Sequence, residues 1–526
     1  MAKRKLLLGD EAVALGALHE GISAAYAYPG TPSTEIFEYI EANKKTFQVH
    51  AAWSANEKVA YESALGMSFA GKRTLVSMKH VGLNVAADAF VNSGVTGVHG
   101  GLVCCVADDP GMHSSQNEQD TRYYARFALV PCLEPSTQQE AYDMTRAGFA
   151  MSEETDLPVL LRIVTRLAHS RADVVVQDQH PQNDLNKLVG SPAFTLLPSN
   201  ARAQYKLLTE KQPRLQQMSE DSPFNILSLE GDTSRGFIVN SVAYNYLREL
   251  YGGSIPHPFL RVGMYPMPEN KIRHLVETVD EVLLLEEGYP FIEEALRGIV
   301  GVSGTKVRGK FDGLVPRTGE MTPAIIAAAL GHPLESVHKT PFEVLPNRPP
   351  ALCPGCPHTD SFKAMKAATA DFKQPSTFSD IGCYTLGFYP PHNAIETCVD
   401  MGASISMAIG AVHAGLHPVL CALGDSTFGH SGMTGLLTAA AENLNMNVFI
   451  LDNGTVAMTG TQETLTTGDD LVKLVLGLGV PEAHVRLLDP LPKHHEENTR
   501  IIREEIDYEG LSVIIPRRIC VQYRRR

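Results

Sequence analysis

The sequence predicts a multidomain α/β protein built from doubly wound parallel sheets. Short runs of apolar and β-branched residues recur along the chain, and many are followed by glycine and by a helical pattern. Strands that alternate with helices favour parallel sheets with helices on both faces. The chain has 526 residues, which is more than one hydrophobic core usually supports, so two to four domains are expected.

The strand-like runs fall into three groups. They are TLVSM at Thr74, GLVCCVAD at Gly101 and PVLLRIV at Pro158; GFIVN at Gly236 and EVLLLEEG at Glu281; and PVLCALGD at Pro418, NVFILDNG at Asn447 and LSVIIP at Leu511. Polar and proline-rich stretches separate the groups. The predicted division is a first domain over 1–190, a linker over 191–230, a second domain over 231–331 and a third domain over 346–526.

Charge and composition argue against nucleic-acid and membrane partners. The formal net charge is −14, and the chain has one Trp. Acidic residues interrupt the N-terminal leucines before a signal-peptide core forms, and no run reaches the roughly 18 apolar residues that span a bilayer. Nine cysteines without a secretion signal argue against a disulfide framework. We expect a cytoplasmic protein whose partners are small metabolites and other proteins.

The most specific chemical signal lies at the ends of two predicted strands of the third domain. One strand ends at Gly424 and Asp425, and the next ends at Asn453, 28 positions after Asp425. Carboxylate, amide and carbonyl oxygens suit Mg²⁺, which bridges readily to a diphosphate. Gly424 lets the backbone approach phosphate, and the N–H groups of Ser426 and Thr427 can donate to it. An isolated pair of this kind is usually a strand-end turn, so the spacing carries the prediction.

This pair resembles the signature of thiamine-diphosphate enzymes, in which Gly-Asp-Gly is followed at a similar distance by Asn. The third position of the signature is Ser426 in this chain. The resemblance implies that Asp425 and Asn453 bind Mg²⁺ through their side chains and Thr455 through its carbonyl. It also implies that residues of DIGCYTLG and MGASISMAIG close over the diphosphate, among them Gly382, Cys383 and Gly402.

Thiamine chemistry also needs a carboxylic acid beside N1′ of the aminopyrimidine ring. Glu57 begins a helical pattern after a short apolar strand, where the pyrimidine domain of these enzymes carries that acid. A glutamate at a helix start also suits the helix dipole, so Glu57 alone would be ambiguous. Glu62 is the competing acid. The active site is expected between the first and third domains.

Longer strings extend the resemblance over nearly the whole chain. The chain resembles the 2-oxoacid:ferredoxin oxidoreductases, most closely their indolepyruvate-type large subunits. The strings are AYPGTPSTEI at Ala27, KHVGLN at Lys79, DDPGMHSSQNEQDTR at Asp108, RPPALCPGCPH at Arg348, DIGCYTLG and NGTVAMTG. The resemblance implies oxidative decarboxylation of an aryl pyruvate, such as indolepyruvate or phenylpyruvate, with coenzyme A as acyl acceptor. It also implies a smaller partner subunit in a heterotetramer.

Several polar residues of these strings are candidates for substrate binding. Thr31 resembles the family residue that hydrogen-bonds the substrate carboxylate, and Arg122 could pair with the same group in bidentate fashion. Lys79 and His80 end a predicted strand and His113 follows another, where ligands of such sheets bind. A plain turn residue and a surface arginine remain alternatives for Thr31 and Arg122.

Four cysteines resemble the ligands of a [4Fe–4S] cluster that lies next to thiamine and passes electrons singly to ferredoxin or another acceptor protein. They are Cys353, Cys356, Cys383 and Cys520. Four such thiols could also hold zinc, or could be buried structural residues. The other cysteines are expected mostly in the core: Cys104, Cys105, Cys132, Cys398 and Cys421.

Large subunits of this kind usually continue into a ferredoxin-like tail, whereas this sequence stops at Arg526. The expectation is that the electron exit lies on another subunit or that the acceptor differs. Two other functions remain open. One is a non-oxidative thiamine-dependent decarboxylase or carboligase, without cluster or coenzyme A. The other is a non-catalytic subunit that binds no thiamine.

Overall fold

The chain forms two compact units, residues 1–339 and 340–526. The computed structural model describes residues 3–186, 192–297, 306–332, 350–373 and 375–525. The predicted domain boundaries at 190 and 346, and the proline-rich stretch over 340–349, lie outside these residues. In the described ranges, no helix has the length and apolar character that crossing a membrane requires.

The first unit contains a seven-stranded sheet that is parallel except for one edge strand. In sheet order its strands are β12 (Met264–Tyr265), β6 (Cys132–Leu133), β7 (Val159–Val164), β5 (Leu102–Asp108), β4 (Thr74–Lys79), β2 (Ala24–Ala27) and β3 (His50–Trp53). Every residue of β4, β5 and β7 is buried, because helices cover both faces of the sheet. A separate antiparallel pair joins β1 (Lys3–Leu8) to β8 (Arg171–Val176).

Seven helices accompany this sheet. They are α1 (Gly9–His19), α2 (Thr34–Phe47), α3 (Glu57–Phe69), α4 (His80–Thr96), α5 (Arg122–Ala128), α6 (Gln138–Thr155) and α7 (Thr165–Ala168). Helices α2 and α3 follow β2 and β3, and α4 follows β4 without an intervening loop. The helix starts therefore lie at the carboxyl ends of the parallel strands, the edge at which such sheets bind ligands.

A second sheet in the first unit has five strands in the order β14 (Lys306–Arg308), β13 (Glu281–Leu285), β10 (Gly236–Asn240), β11 (Phe259–Val262) and β9 (Ile226–Ser228). Only β9 among them is antiparallel to its neighbour. Its helices are α9 (Ser241–Leu250), α10 (Glu269–Thr278), α11 (Phe291–Ala295) and α12 (Pro323–Ala329). One buried apolar cluster contains residues of both sheets, including Val76, Cys104, Ile238 and Leu260.

The stretch 191–230, which was predicted as a linker, differs from that expectation. It contains the 24-residue helix α8 (Pro198–Asp221). Most side chains of α8 are polar, but Leu208 and Leu215 are buried in one cluster with Leu157. The composition that suggested a linker is that of a surface helix with a narrow apolar face.

The second unit has one sheet of five parallel strands. In sheet order they are β15 (Ser376–Ser379), β16 (Val419–Gly424), β17 (Met446–Leu451), β19 (Leu511–Pro516) and β18 (Val485–Leu488). The helices are α13 (Pro357–Ala368), α14 (Ala403–His413), α15 (Asp425–Thr427), α16 (Met433–Glu442), α17 (Gly468–Gly477) and α18 (His495–Ile506). Parallel sheets between helices in both units confirm the predicted α/β fold class.

Candidate active site

Polar residues follow three neighbouring strands of the second unit at the same edge of the sheet. Asp380 follows β15, Asp425 follows β16, and Asn453 comes two residues after β17. All three are buried, with 0–7% of their surface exposed. The backbone N–H of Gly454 donates to Oδ2 of Asp425 at 2.9 Å, so the turn that carries Asn453 is held against Asp425.

The Asp425 carboxylate lies in an environment that favours a bound cation. It accepts hydrogen bonds from the backbone N–H groups of Ser426, at 2.8 Å, and Gly454. Burial raises the pKa of Asp425 to about 8, and the nearby Asp452 carboxylate adds to this effect. A divalent cation would offset both causes. The side-chain oxygen of Asn453 accepts from the N–H of Thr455 at 3.1 Å. Hydrogen bonds within one turn therefore connect the three predicted Mg²⁺ ligands, Asp425, Asn453 and Thr455.

Asp380 organises the loops beside this pair, and the sequence reasoning had not singled it out. Its carboxylate accepts from the backbone N–H of Gly402 at 3.1 Å, from the hydroxyl of Ser404 at 2.7 Å and from the hydroxyl of Tyr384. Gly402 has φ +91°, and a Cβ there would lie 2.6 Å from Cβ of Ser431, so glycine is required. Burial raises the pKa of Asp380 to about 6. Only four residues form β15, and so short a strand gave little signal.

The tyrosine next to Cys383 fills the space between two of the predicted diphosphate segments. A Cβ on Gly382 would lie 2.2 Å from the Tyr384 ring, and one on Gly424 would lie 3.0 Å from it. The Tyr384 hydroxyl oxygen also lies 3.1 Å from Oγ1 of Thr427. Thr427 in turn donates to the carbonyl of Ile381 at 3.2 Å. The segments 380–388 and 424–427 are therefore joined directly.

The four cysteines predicted as cluster ligands line one cavity of about 90 Å³. The cavity wall contains Cys353, Cys356, Cys383 and Cys520, together with His358 and Asn453. Burial, together with the neighbouring thiols of the set, raises the pKa of Cys356 to about 11 and that of Cys383 to about 12. Backbone N–H groups at the start of α13 donate to Cys356. Binding of a metal centre would deprotonate such thiols.

His358 joins the cysteine cavity to the predicted cation site. Its side chain is 3% exposed, and Nδ2 of Asn453 lies 3.4 Å from its Nε2. Burial lowers the pKa of His358 to about 4, so the ring is neutral at pH 7 and can accept from the amide. His358 could not be singled out from the sequence, because a lone histidine after CPGCP carries no spacing signal.

Glu57 and its rival Glu62 have different surroundings in the first unit. Glu57 is the first residue of α3 and is 6% exposed. Its carboxyl group packs against Gly82 of α4, where a Cβ would lie 2.6 Å from Oε1 of Glu57. Glu62 is half exposed and pairs with Lys58 on the surface. Burial therefore favours Glu57 as the residue that meets a cofactor.

Adding one methyl group at Gly82 is expected to displace the Glu57 carboxyl. In Gly82→Ala the new Cβ would overlap Cγ and Oε1 of Glu57, so the predicted catalytic role of Glu57 implies that turnover falls roughly 100-fold. Gly66→Ala in α3 is the matched control, because among the described residues no atom beyond its own stretch of helix lies within 4 Å of its Cβ position. Steady-state kinetics and thermal unfolding of both variants check this. Equal turnover in both would contradict the packing argument.

Thr31 and Lys79 lie together at the carboxyl edge of the seven-stranded sheet. The hydroxyl of Ser114 donates to the Thr31 carbonyl at 3.3 Å, and Nζ of Lys79 donates to the Ser114 carbonyl at 2.5 Å. A Cβ on Gly30 would lie 3.1 Å from Cβ of Lys79. Burial lowers the pKa of Lys79 to about 8, against the pull of the Asp109 carboxylate. Ser114 and Asp109 were missed because loop residues have no periodic signal.

The two histidines of these strings have different environments. His80 is the first residue of α4 and is fully buried. Burial lowers its pKa, while the Asp108 carboxylate acts in the opposite direction. His113 is half exposed, and its Nε2 lies 3.1 Å from Glu320. A direct role of either histidine in substrate binding stays a prediction.

The prediction that Arg122 could bind the substrate carboxylate needs correction. The Arg122 side chain is fully buried, and its five N–H donors face acceptors of the protein itself. These acceptors are Asp120, Tyr265, Glu286 and the carbonyls of Glu287 and Tyr289. Arg122 thus ties the first sheet to the second. Its acidic neighbours from the second sheet lie more than 140 positions away in sequence, and no local pattern indicates them.

The remaining cysteines follow the prediction with one exception. Cys104, Cys105, Cys132 and Cys421 are buried, whereas Cys398 is exposed. Cys398 belongs to no strand; it lies in the irregular segment between the 3₁₀ helix over 383–388 and α14.

Two family descriptions match the chain. Residues 15–217 match "Pyruvate flavodoxin/ferredoxin oxidoreductase, thiamine diP-bdg", and residues 380–515 match "Thiamine pyrophosphate enzyme, C-terminal TPP binding domain". The first match includes Glu57 and most of the seven-stranded sheet, and the second includes Asp425 and most of the second-unit sheet.

Curated relatives match over almost the full length. Indolepyruvate oxidoreductase subunit IorA of Thermococcus kodakarensis is 37% identical, with 99% of this chain and 86% of the relative covered. The protein of the same name from Archaeoglobus fulgidus is 34% identical, with 98% and 86% covered. Among solved structures, the 2-oxoglutarate:ferredoxin oxidoreductase from Magnetococcus marinus matches with a TM-score of 0.51 at 16% identity. That alignment covers 63% of this chain and 65% of the other, and it supports the fold.

Proposed function

Because the chain belongs to the family of the indolepyruvate oxidoreductase subunits IorA, we propose that it carries the catalytic centre for thiamine-diphosphate-dependent oxidative decarboxylation of aryl pyruvates to acyl-CoA. Indolepyruvate and phenylpyruvate are the proposed substrates, and the product is the corresponding arylacetyl-CoA. The structural observation that carries the proposal is the contact between Asp425 and the turn of Asn453 at the carboxyl edge of the second-unit sheet. A cytoplasmic location stays a prediction from the sequence.

The second unit is proposed to hold the diphosphate and its Mg²⁺. Asp425, Asn453 and the Thr455 carbonyl would bind the cation, and Gly382, Cys383, Gly402, Gly424, Ser426 and Thr427 would line the diphosphate. The raised pKa of Asp425 supports the fit, because a cation relieves a buried carboxylate that has few partners. When bound, thiamine diphosphate supplies the nucleophilic carbon and the electron sink that 2-oxo acid decarboxylation needs.

The first unit is proposed to supply the acid and the substrate-binding groups. Glu57, buried at the start of α3, would hold a proton toward N1′ of the aminopyrimidine. Thr31 would hydrogen-bond the substrate carboxylate, and Lys79, which contacts the same turn, would offset its charge. His80, the residue that follows Lys79, remains a candidate polar group for substrate binding.

Loss of the Lys79 charge is expected to weaken substrate binding. Lys79→Met should raise KM for the 2-oxo acid by roughly 10- to 100-fold with a smaller change in kcat, because one charge-assisted contact is lost. The pKa of Lys79 is lowered to about 8, so the cation is present below that pH and disappears as the pH rises through it. In the unmodified enzyme KM should therefore rise above pH 8.

The control for this prediction is Lys58→Met, which removes a surface lysine of α3. KM measured from pH 6.5 to 9.5 for the three proteins checks the assignment. A KM of Lys79→Met that still rises above pH 8 would show that another group causes the dependence.

The cysteine cavity is proposed to hold a [4Fe–4S] cluster that receives electrons singly. Four thiols lining one cavity, with Asn453 in the same wall, support a cluster next to the cation site. The chain works with a partner subunit, since its relatives are named as subunits of an oxidoreductase. We propose a smaller partner, a heterotetramer, coenzyme A as acyl acceptor, and ferredoxin or another protein as electron acceptor.

Cofactor analysis of one sample tests the proposal. We would co-express the chain with the partner subunit, purify anaerobically, and measure thiamine diphosphate and iron per chain. The expected result per chain is one thiamine diphosphate, and about four irons bound in the cysteine cavity. Cys383→Ala should lose most of this iron, whereas Cys398→Ala, which alters an exposed cysteine, should keep it. Thiamine without iron would favour a non-oxidative decarboxylase, and absence of thiamine a non-catalytic subunit.

A further inference from the structure

A cluster of three metal-ligating side chains lies in the first unit, apart from the residues discussed so far. Asp10 belongs to the first turn of α1, Glu35 to the first turn of α2, and His169 directly follows α7. One ligand atom of each residue lies within 4.8 Å of those of the other two. Two carboxylates and one imidazole suit a divalent transition-metal ion such as Zn²⁺.

Asp10 is the side chain that most needs an explanation. It is 0% exposed, and neither of its carboxylate oxygens accepts a hydrogen bond from a donor group of the described residues; the Glu35 carboxyl beside it could pair with it only through a shared proton. Oε2 of Glu35 is likewise buried without a hydrogen-bond partner in that set, and Nε2 of His169 lies 3.6 Å from it. Buried polar groups nearly always have a hydrogen-bond or ionic partner, so the paired carboxyl groups of Asp10 and Glu35 require either a proton or a cation.

The electrostatics agree with this requirement. Burial raises the pKa of Asp10 well above its usual range, and the carboxylates of Glu35 and Glu11 raise it further. The contact with His169 lowers the pKa of Glu35, so at least one of the paired carboxyls is ionised. A divalent ion would neutralise both carboxylates at once.

We propose that Asp10, Glu35 and His169 bind one divalent transition-metal ion of the Zn²⁺ class. The ion can enter from solvent, because the side chains of Glu35 and His169 are 39% and 36% exposed while Asp10 forms the floor of the site. Three protein ligands leave room for water at the remaining position.

The ion would fix the turn that carries Thr31. The N–H of Gly30 donates to Oγ1 of Thr34 at 3.0 Å, and the hydroxyl of Ser33 donates to the Gly30 carbonyl at 2.7 Å, so this turn and the start of α2 form one unit. A metal ion that links Glu35 to Asp10 of α1 and to His169 after α7 would hold this turn and the start of α2 in place. This consequence rests on the proposed function, whereas metal binding itself does not.

Zinc uptake by the full complex tests the site. The cluster is assembled first, and thiamine diphosphate and excess Mg²⁺ are present, so that the cysteine cavity and the diphosphate site do not compete. Zn²⁺ is then titrated, and bound zinc is measured by elemental analysis after gel filtration. The unmodified protein should bind one zinc per chain, and zinc should raise its unfolding temperature.

His169→Ala should weaken zinc binding by more than roughly 100-fold, since loss of an outer-shell partner alone costs about 10- to 100-fold. Its half-exposed side chain makes misfolding a small concern, and Asp10→Asn serves as the second variant. Asp143→Asn is the matched control, because Asp143 is a half-buried carboxylate of the same unit that pairs with Gln139. It should keep the zinc.

Two results would overturn the site: no zinc uptake by the unmodified protein, or equal uptake by that protein and His169→Ala. In the first case Asp10 and Glu35 share a proton. Indolepyruvate turnover measured on the same samples separates the two proposals. Zinc uptake without turnover would refute the proposed function and keep the site, whereas turnover without zinc uptake would do the reverse.

Discussion

Glu57→Gln is expected to lose most turnover while the protein stays folded. Gln has the same shape as Glu but cannot exchange a proton with N1′ of the aminopyrimidine, and loss of a positioned acid lowers kcat by roughly 10²- to 10⁴-fold. The side chain is buried against Gly82, so the substitution adds no atoms to a tight site. Turnover of indolepyruvate in the presence of coenzyme A and an electron acceptor, with thermal unfolding alongside, measures the effect.

The control is Glu62→Gln, which changes the rival acid on the exposed side of the same helix. Its turnover should stay within about twofold of the unmodified enzyme, since surface substitutions have small effects. Near-normal turnover of Glu57→Gln together with a large loss in Glu62→Gln would reverse the assignment of the two residues.

Asp425→Ala is expected to abolish Mg²⁺-dependent retention of thiamine diphosphate. It removes the one carboxylate among the three proposed Mg²⁺ ligands, so we expect affinity to fall by more than roughly 100-fold. Equilibrium dialysis of the cofactor at several Mg²⁺ concentrations measures this directly. Asp470→Ala is the control, because Asp470 is an exposed aspartate of the same unit that pairs only with Lys473 on the surface.

Unfolding experiments without cofactor keep this test interpretable. The pKa of Asp425 is raised by burial, so its ionised carboxylate is unfavourable in the folded protein when no cation is bound. The variant loses this unfavourable burial but also the hydrogen bonds from Ser426 and Gly454, so without cofactor it should unfold at a temperature similar to that of the unmodified protein. Unchanged cofactor retention by Asp425→Ala would remove Asp425 from the proposed cation site.

The residues that could be predicted from sequence lie at strand ends. Asp425 and Asn453 follow long apolar runs, and neighbouring parallel strands bring their carboxyl ends to one edge, so spacing alone indicated their proximity. Asp380 has the same position after a strand of only four residues, which periodicity does not detect. The sequence therefore indicated which residues lie close together where the strand was long, but not where it was short.

Tertiary contacts account for the other differences. Arg122 was read as a substrate ligand because the sequence shows its charge but not the acids that surround it, which come from the second sheet. The polar composition over 191–230 concealed α8, since two buried leucines are enough to seat a surface helix. In both cases the deciding neighbours are distant in sequence.

The buried arginines of the first sheet also bear on how the protein is made. Besides their acidic partners within the first sheet, both arginines donate to groups that follow β13 of the second sheet: Arg122 to the Glu286 carboxylate, and Arg122 and Arg162 to the Glu287 carbonyl. The ribosome adds 124 residues after Arg162 before it reaches Glu286. At about 5 to 20 residues per second this synthesis takes roughly 6 to 25 seconds. During that interval each arginine has its acidic partners of the first sheet but lacks its acceptors from the second. The buried hydrogen bonds of the first sheet are therefore complete only after the second sheet has been synthesised.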